Sequence, residues 1–371
     1  MQLFQLATAA ALALALAACG SHANDASSAK EEWDAQNQPL TLSAGYVHSF
    51  SQLPVEGVLE KTPWTDDYWP SYQGGIAKRW KDSSSDNFSY RTPSRGRLQR
   101  MSEADLARLS PAEKFDIFIG DYRYGTVAIE RSRVSPDNQT WEGICHGWAP
   151  AAINFEEPKP VLLANQDGIK LPFGSSDVKA LLSYYQGQIN RTRAPILGGR
   201  CNIDLATNPA RALDPACRDT NAGAFHIVLA NQIGIRKQSF VADVTRDYMV
   251  WNQPVHAFTS RVLRTQEPSP GAAPGTVEEK LIETVMTYTV EVDPQWDALV
   301  GTPGHSDNSA TYLYRIELDG NGEIIGGEWE SEERPDFLWT QPRPEFFGRW
   351  SSLETIYRAA IAAQPYTDPT L

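Results

Sequence analysis

The segment WEGICHGWAPAA, Trp141 to Ala152, places one thiol, Cys145, beside a histidine and between two tryptophans. A thiol attacks carbonyl carbon as the thiolate, so a catalytic cysteine needs positive potential from a helix N-terminus or an imidazole. The residues after it, HGWAPAAINF, read as a helix, and Gly143 would let a backbone approach closely. Pro150 leaves two readings open. Either the helix begins near Cys145 and kinks, or Pro150 is the first helical residue and the thiol precedes it. His146 is poorly placed as a base, because adjacent helical residues do not face each other.

His226 is the better base. In AFHIVLAN, Phe225, Ile227 and Leu229 alternate to one strand face and leave His226 on the other. In SFVADV, Asp243 lies opposite Phe240, Ala242 and Val244. A hairpin turning near Gly234 would set His226 across from Asp243, completing a Cys145, His226, Asp243 relay. A bulge would break that register. The plainer alternative is a structural histidine and a solvated aspartate. Gln139 reads as an oxyanion donor or a surface residue, and Trp141 and Trp148 as walls of an acyl-donor slot or as core. His48, His256 and His305 lack comparable surroundings.

The opening residues, MQLFQLATAAALALALAACGSHAND, carry an apolar run that ends at Ala18. It is shorter than the roughly 20 residues of a membrane span and reads as an export signal. LAAC, Leu16 to Cys19, resembles a bacterial lipobox, although no Lys or Arg precedes the apolar run. The expectation is a signal peptide over 1–18, a lipid on Cys19, a flexible tether over 19–49 and a catalytic domain over 50–371. The protein would then sit in the bacterial cell envelope, anchored by lipid at the outer membrane or periplasmic side, or be secreted. Export favours disulfides. Cys201 and Cys217 enclose a loop of 15 residues, and pairing them leaves Cys145 as an odd thiol, either inert or reactive.

With 33 Lys and Arg against 46 Asp and Glu, the net charge is −13, which argues against a nucleic-acid partner. Hydrophobic content of 41% supports a sizeable core. Residues 60–100 show no period and read as surface wrapping. SPAEKFDIF from Ser110 carries a capping box, and SSDVKALLSYY from Ser175 an amphipathic face. Strand-like runs follow: AFHIVLANQIG, QSFVADVT, VWNQPVHAF, LIETVMTYTVEV, TYLYRIEL and EIIGGEWE, the last two joined by DGNG. TQEPSPGAAPG reads as a flexible connection, and SLETIYRAAIAAQ closes with a helix. Helices first and strands later predict one large α+β domain.

WEGICHGWAPAAI and VWNQPVHAF, with CRDTNAGAFHI and GGEWESEERPDFLW, resemble the elicitor-type transglutaminases of oomycete cell walls and their bacterial relatives. The resemblance spans about residues 60–345. It implies a papain-like core with the thiol on a helix facing the His and Asp strands. It also implies glutamine acyl transfer to a lysine or polyamine amine through a thioester on Cys145, with His226 and Asp243 in the relay. Trp251 and Pro254 fall in the peptide motif, and Trp251 could help wall the cleft. DGNGE lacks the glycine of a calcium loop, because Ile324 stands there. Some transglutaminases use calcium, so the resemblance leaves room for a calcium dependence without an assignable site. The competing readings are a papain-like peptidase or amidase, and a non-catalytic envelope lipoprotein that binds without reacting.

Overall fold

The computed structural model describes residues 33–371 except 191, 205–206, 215–216, 218 and 363. The expected signal peptide and Cys19 therefore lie outside the described residues. Two short helices, α1 (Arg95–Leu98) and α2 (Glu103–Ala107), lead into α3 (Pro111–Phe118). The sequence dictates the start of α3. Ser110 Oγ accepts from the Glu113 N–H at 3.2 Å, the Glu113 carboxylate accepts from the Ser110 N–H at 3.0 Å, and Pro111 needs no partner in the first turn. The helices α4 (Gly125–Arg133), α5 (Cys145–Asn154) and α6 (Ser175–Tyr184) follow. α7 (Ala222–Leu229) comes next, and α8 (Ser351–Ala362) lies near the C-terminus.

The strands are β1 (Glu56–Val58), β2 (Val161–Ala164), β3 (Lys170–Phe173), β4 (Ile196–Gly198) and β5 (Phe240–Asp243). They continue with β6 (Asn252–Gln266), β7 (Glu278–Thr289), β8 (Asp307–Leu318), β9 (Ile324–Trp329) and β10 (Phe337–Trp339). One antiparallel sheet runs β4-β10-β5-β6-β7-β8-β9, with β1 on β6, and β2 and β3 form a separate hairpin. Register shifts near Val255 and Val262 mark irregularities in the long β6.

Two cores flank the sheet. The helical core gathers Phe115, Trp148, Leu181 and Trp350 with Val241, Phe337 and Trp339 of the sheet. The second core gathers α7 residues Phe225, Ile227 and Val228 with Phe240, Ala242 and Leu338. Alternation along β5 therefore sends Val241 toward α5 and its neighbours Phe240 and Ala242 toward α7. Helices and a curled antiparallel sheet in one domain make the α+β class expected from the order of elements.

Three sequence expectations need correction. Residues 60–100 are not surface wrapping. Trp64 and Trp69 are buried, and their indole N–H groups donate to the Phe155 carbonyl and the Asp66 carboxylate, each at 3.1 Å. Residues 33–49 do not run as a free tether. Asn37 donates to the Asp219 carbonyl, and Asn231 bonds both backbone groups of Val47, so the packed domain begins before residue 50. AFHIVL is helical rather than extended, capped by Asn221, whose side chain accepts from the Gly223 and Ala224 N–H groups.

Candidate active site

Helix α5 begins at Cys145 and carries Pro150 inside it, so the thiol stands on the helix rather than ahead of it. As the first helical residue, Cys145 stands at the positive end of the peptide dipoles, where backbone N–H groups lack intrahelical acceptors. Gly143 serves the fold rather than a substrate. A Cβ there would lie 2.5 Å from the Tyr68 carbonyl oxygen, which accepts from the Ile144 N–H at 2.7 Å.

Cys145 is only 5% exposed. Its Sγ lies 3.5 Å from the Val250 carbonyl and 3.6 Å from Asn252 Nδ2, and the Asn252 backbone amide also donates to it. The Trp339 indole donates to Asn252 Oδ1 at 2.7 Å. That bond fixes the amide orientation, since the carbonyl end is occupied and the NH₂ end must face the sulfur. Burial pushes the thiol up to about 11; the Asn252 donors act in the opposite direction, and the charges of Glu291 and Asp243 add to the rise. Glu291 is itself pushed up to about 7 by burial and accepts from Gln253 Nε2 at 3.1 and 3.0 Å.

Asp243 is the direct cross-strand partner of Asn252. Directly opposed residues project to the same side of a sheet, with Cβ atoms about 5 Å apart. The carboxylate thus shares the α5 face with the amide that reaches the sulfur. Asp243 Oδ1 accepts from the Trp251 and Thr245 N–H groups at 3.0 and 3.3 Å. Oδ2 is buried and has no hydrogen-bond partner among the described residues. Burial outweighs the bonds to Oδ1 and pushes the carboxyl up to about 7. Asp243 thus lies on the strand expected from SFVADV, on the side opposite Phe240 and Ala242.

His226 requires a correction. It lies on α7, in the core on the opposite side of the sheet from α5. The expected hairpin with β5 does not form, because β5 pairs with β6 and β10. His226 Nδ1 lies 2.8 Å from the Tyr314 hydroxyl, which continues to Thr284 and Ser260 at 2.7 Å each, and its ring packs against Phe50. Burial lowers its pKa to about 4, which favours the neutral imidazole at pH 7. His146, as expected, turns away from the thiol and meets Gln188 Nε2 at 3.0 Å.

The aromatic candidates divide. Trp148 is wholly buried core. Trp251 packs against Tyr68 with ring centroids 5.6 Å apart. Gln139 is exposed, and its Oε1 accepts from Trp141 Nε1 at 3.1 Å and the Tyr248 hydroxyl at 3.4 Å, with Trp141 and Tyr248 edge to face. Gln139 and Trp141 therefore belong to one surface cluster, and Trp251 to another with Tyr68. The Cys201–Cys217 disulfide is formed and Cys145 is a free thiol, the division that spacing and export suggested. Among the described residues, no group of three or more His, Cys, Asp or Glu side chains is arranged to hold a metal ion. The sequence alone does not single out Asn252 or Trp339, although Asn252 lies in VWNQPV; only the β5–β6 register sets Asn252 apart.

A family model described as Transglutaminase elicitor matches residues 136–347. That span is more than half of the 371 residues and includes Cys145, Asp243 and Asn252, and the chain belongs to this family. The fold is similar to the crystal structure of the GP42 transglutaminase from Phytophthora sojae, with a TM-score of 0.65. The two are 22% identical, over 90% of this chain and 99% of that one, a likeness that speaks for the fold. Comparison with curated proteins returned no match.

Proposed function

We propose that the protein is a glutamine acyltransferase that joins a protein γ-carboxamide to a primary amine, using Cys145 as nucleophile and Asp243 in place of the expected histidine. The observation that carries the reading is the unbonded Oδ2 of Asp243, on the strand residue facing Asn252, whose amide holds the Cys145 sulfur. A carboxyl near pH 7 in its titration suits both proton acceptance and return.

The thiol sulfur attacks the γ-carbonyl carbon while its proton passes to Asp243. Backbone N–H groups at the start of α5 are suited to the oxyanion. Collapse breaks the C–N bond, and the proton on Asp243 leaves with ammonia, giving a thioester. A lysine or polyamine amine then attacks the thioester carbon, Asp243 takes its proton, and the departing sulfur recovers it. Asn252 orients the thiol, and Trp339 orients Asn252. Family membership supports the reaction class, and the Cys201–Cys217 disulfide supports an oxidising compartment such as the envelope expected from the leader.

The non-catalytic reading has one observation in its favour: a buried thiol held at about 11 is a poor nucleophile at rest. Incorporation of a fluorescent amine into a casein-like glutamine donor separates the readings. The wild type should label the donor, while Cys145→Ala and Asp243→Ala should not. Hydrolysis without amine incorporation would indicate an amidase, and no Cys145-dependent turnover would leave the binding reading.

A further inference from the structure

A second feature lies outside the Cys145 site. A concavity of about 370 Å³ is lined by Arg79, Arg91, Arg97, Arg100 and Arg108, with Asp82 and Asp105 as its carboxylates. Five arginines line this one hollow in a chain whose net charge is −13. They come from separate segments: Arg97 from α1, Arg100 from the turn after it, Arg108 from the end of α2, Arg79 and Arg91 from the preceding loops. The buried Leu98, Leu106 and Leu109 pin these segments, and Met101, Pro93 and Leu109 supply apolar lining.

Most of this charge is not used internally. Arg79 is satisfied, with two bonds to Glu113 at 2.8 and 2.6 Å and its guanidinium stacked on Tyr90. Arg108 donates to the Lys81 carbonyl at 3.3 Å. Arg91, Arg97 and Arg100 make no ion pair or side-chain hydrogen bond among the described residues. The two acids are engaged with their own turns, Asp82 by Ser84 and Asp105 by Ser102. A position near a helix end accounts for one such arginine; it does not account for several unpaired ones lining one hollow, where like charges disfavour each other.

We infer that this concavity binds a phosphate-bearing anion. Guanidinium groups present forked donors that match phosphate oxygens two at a time, and an anion of high charge density in a small hollow relieves the mutual repulsion. A free phosphorylated molecule and a phospholipid headgroup share that chemistry.

The test is calorimetric titration of the full chain with inorganic pyrophosphate at low and physiological ionic strength, beside flotation with phosphatidate vesicles and neutral phosphatidylcholine vesicles. The expected result is saturable pyrophosphate binding that weakens as salt rises. The Arg97→Gln/Arg100→Gln variant should bind about tenfold more weakly or worse, with an unchanged thermal midpoint because both side chains are exposed. Flotation with phosphatidate alone, lost in the variant, would support the inference with the lipid as source. Absence of both kinds of binding, or binding that the variant leaves unchanged, would overturn it. So would a polyglutamate peptide that binds more tightly than pyrophosphate.

Discussion

Asp243 and Asn252 are Cα partners across β5 and β6, and the Asn252 amide reaches the Cys145 sulfur at 3.6 Å. This pairing puts a carboxylate on the thiol side of the sheet and leaves His226 on the other. His226→Gln should therefore keep its specific activity when rates are scaled to the folded fraction, whereas Asp243→Ala should lose it. The His226 variant should instead alter acid stability. With the folded pKa lowered from 6.5 to about 4, the unfolded chain takes the proton first, so this residue removes stability as pH falls through that window. The upper bound is about 3 kcal/mol, and urea unfolding of both proteins at pH 7 and pH 4.5 measures it.

Asp243 has the opposite sign. Its folded pKa is raised from 3.8 to about 7, so the folded state holds a proton that the unfolded state releases. Stability from this group is full below its unfolded pKa and is lost as pH rises toward 7. Asp243→Asn removes the buried charge while keeping an oxygen for Trp251 and Thr245. The variant should be more stable than the wild type at pH 8, by about 4 kcal/mol at most, and equal to it near pH 4. Thermal midpoints across that range check the prediction; a variant that is less stable at pH 8 would contradict it.

Trp339 acts through Asn252. Replacing the indole by phenyl removes the donor at 2.7 Å and frees the amide to turn its oxygen toward the sulfur. Trp339→Phe should lower kcat about tenfold with little change in KM, as expected when a positioning bond to the reacting group is lost. A change confined to KM would place Trp339 in substrate binding instead.

The fold was legible where one local signal settled the matter. Ser110, Pro111 and Glu113 specify a helix start, and alternation through Phe240, Ala242 and Asp243 specifies which side of β5 meets which core. AFHIVL misled because an apolar run buried on all sides has no period that distinguishes strand from helix. The corrective signal was Asn221, an N-cap residue directly before Ala222. Once that run is helical, its pairing with β5 disappears, and β5 pairs instead with β6 and β10. Asn252 and Trp339 could not be read in advance, because their roles depend on a register between strands remote in the chain.

The disulfide offers a separate check on the loop between β4 and α7. Cys201 and Cys217 are 16 positions apart, and opening a loop of this size should cost about 3 kcal/mol by chain entropy. Cys201→Ala/Cys217→Ala should unfold at correspondingly lower urea. The wild type in reductant should match it, while the variant should show no response to reductant. A reductant effect that persists in the double variant would implicate Cys145 in an unexpected bond.

Alkylation of Cys145 separates the base role of Asp243 from a purely structural one. The thiol is held at about 11, so iodoacetamide should react slowly at pH 7 and faster as pH rises toward that value. The Asp243 charge is among the causes of the elevation. Asp243→Asn should therefore lower the thiol pKa and speed alkylation at pH 8, because more of the sulfur is thiolate. Amine incorporation should fall in the same variant, by roughly a hundredfold or more, because the group proposed to carry the proton to ammonia is gone. Sulfur reactivity and turnover then move in opposite directions. A structural residue would move both down together through misplacement of Asn252, and a non-catalytic protein would show the alkylation change with no turnover to lose.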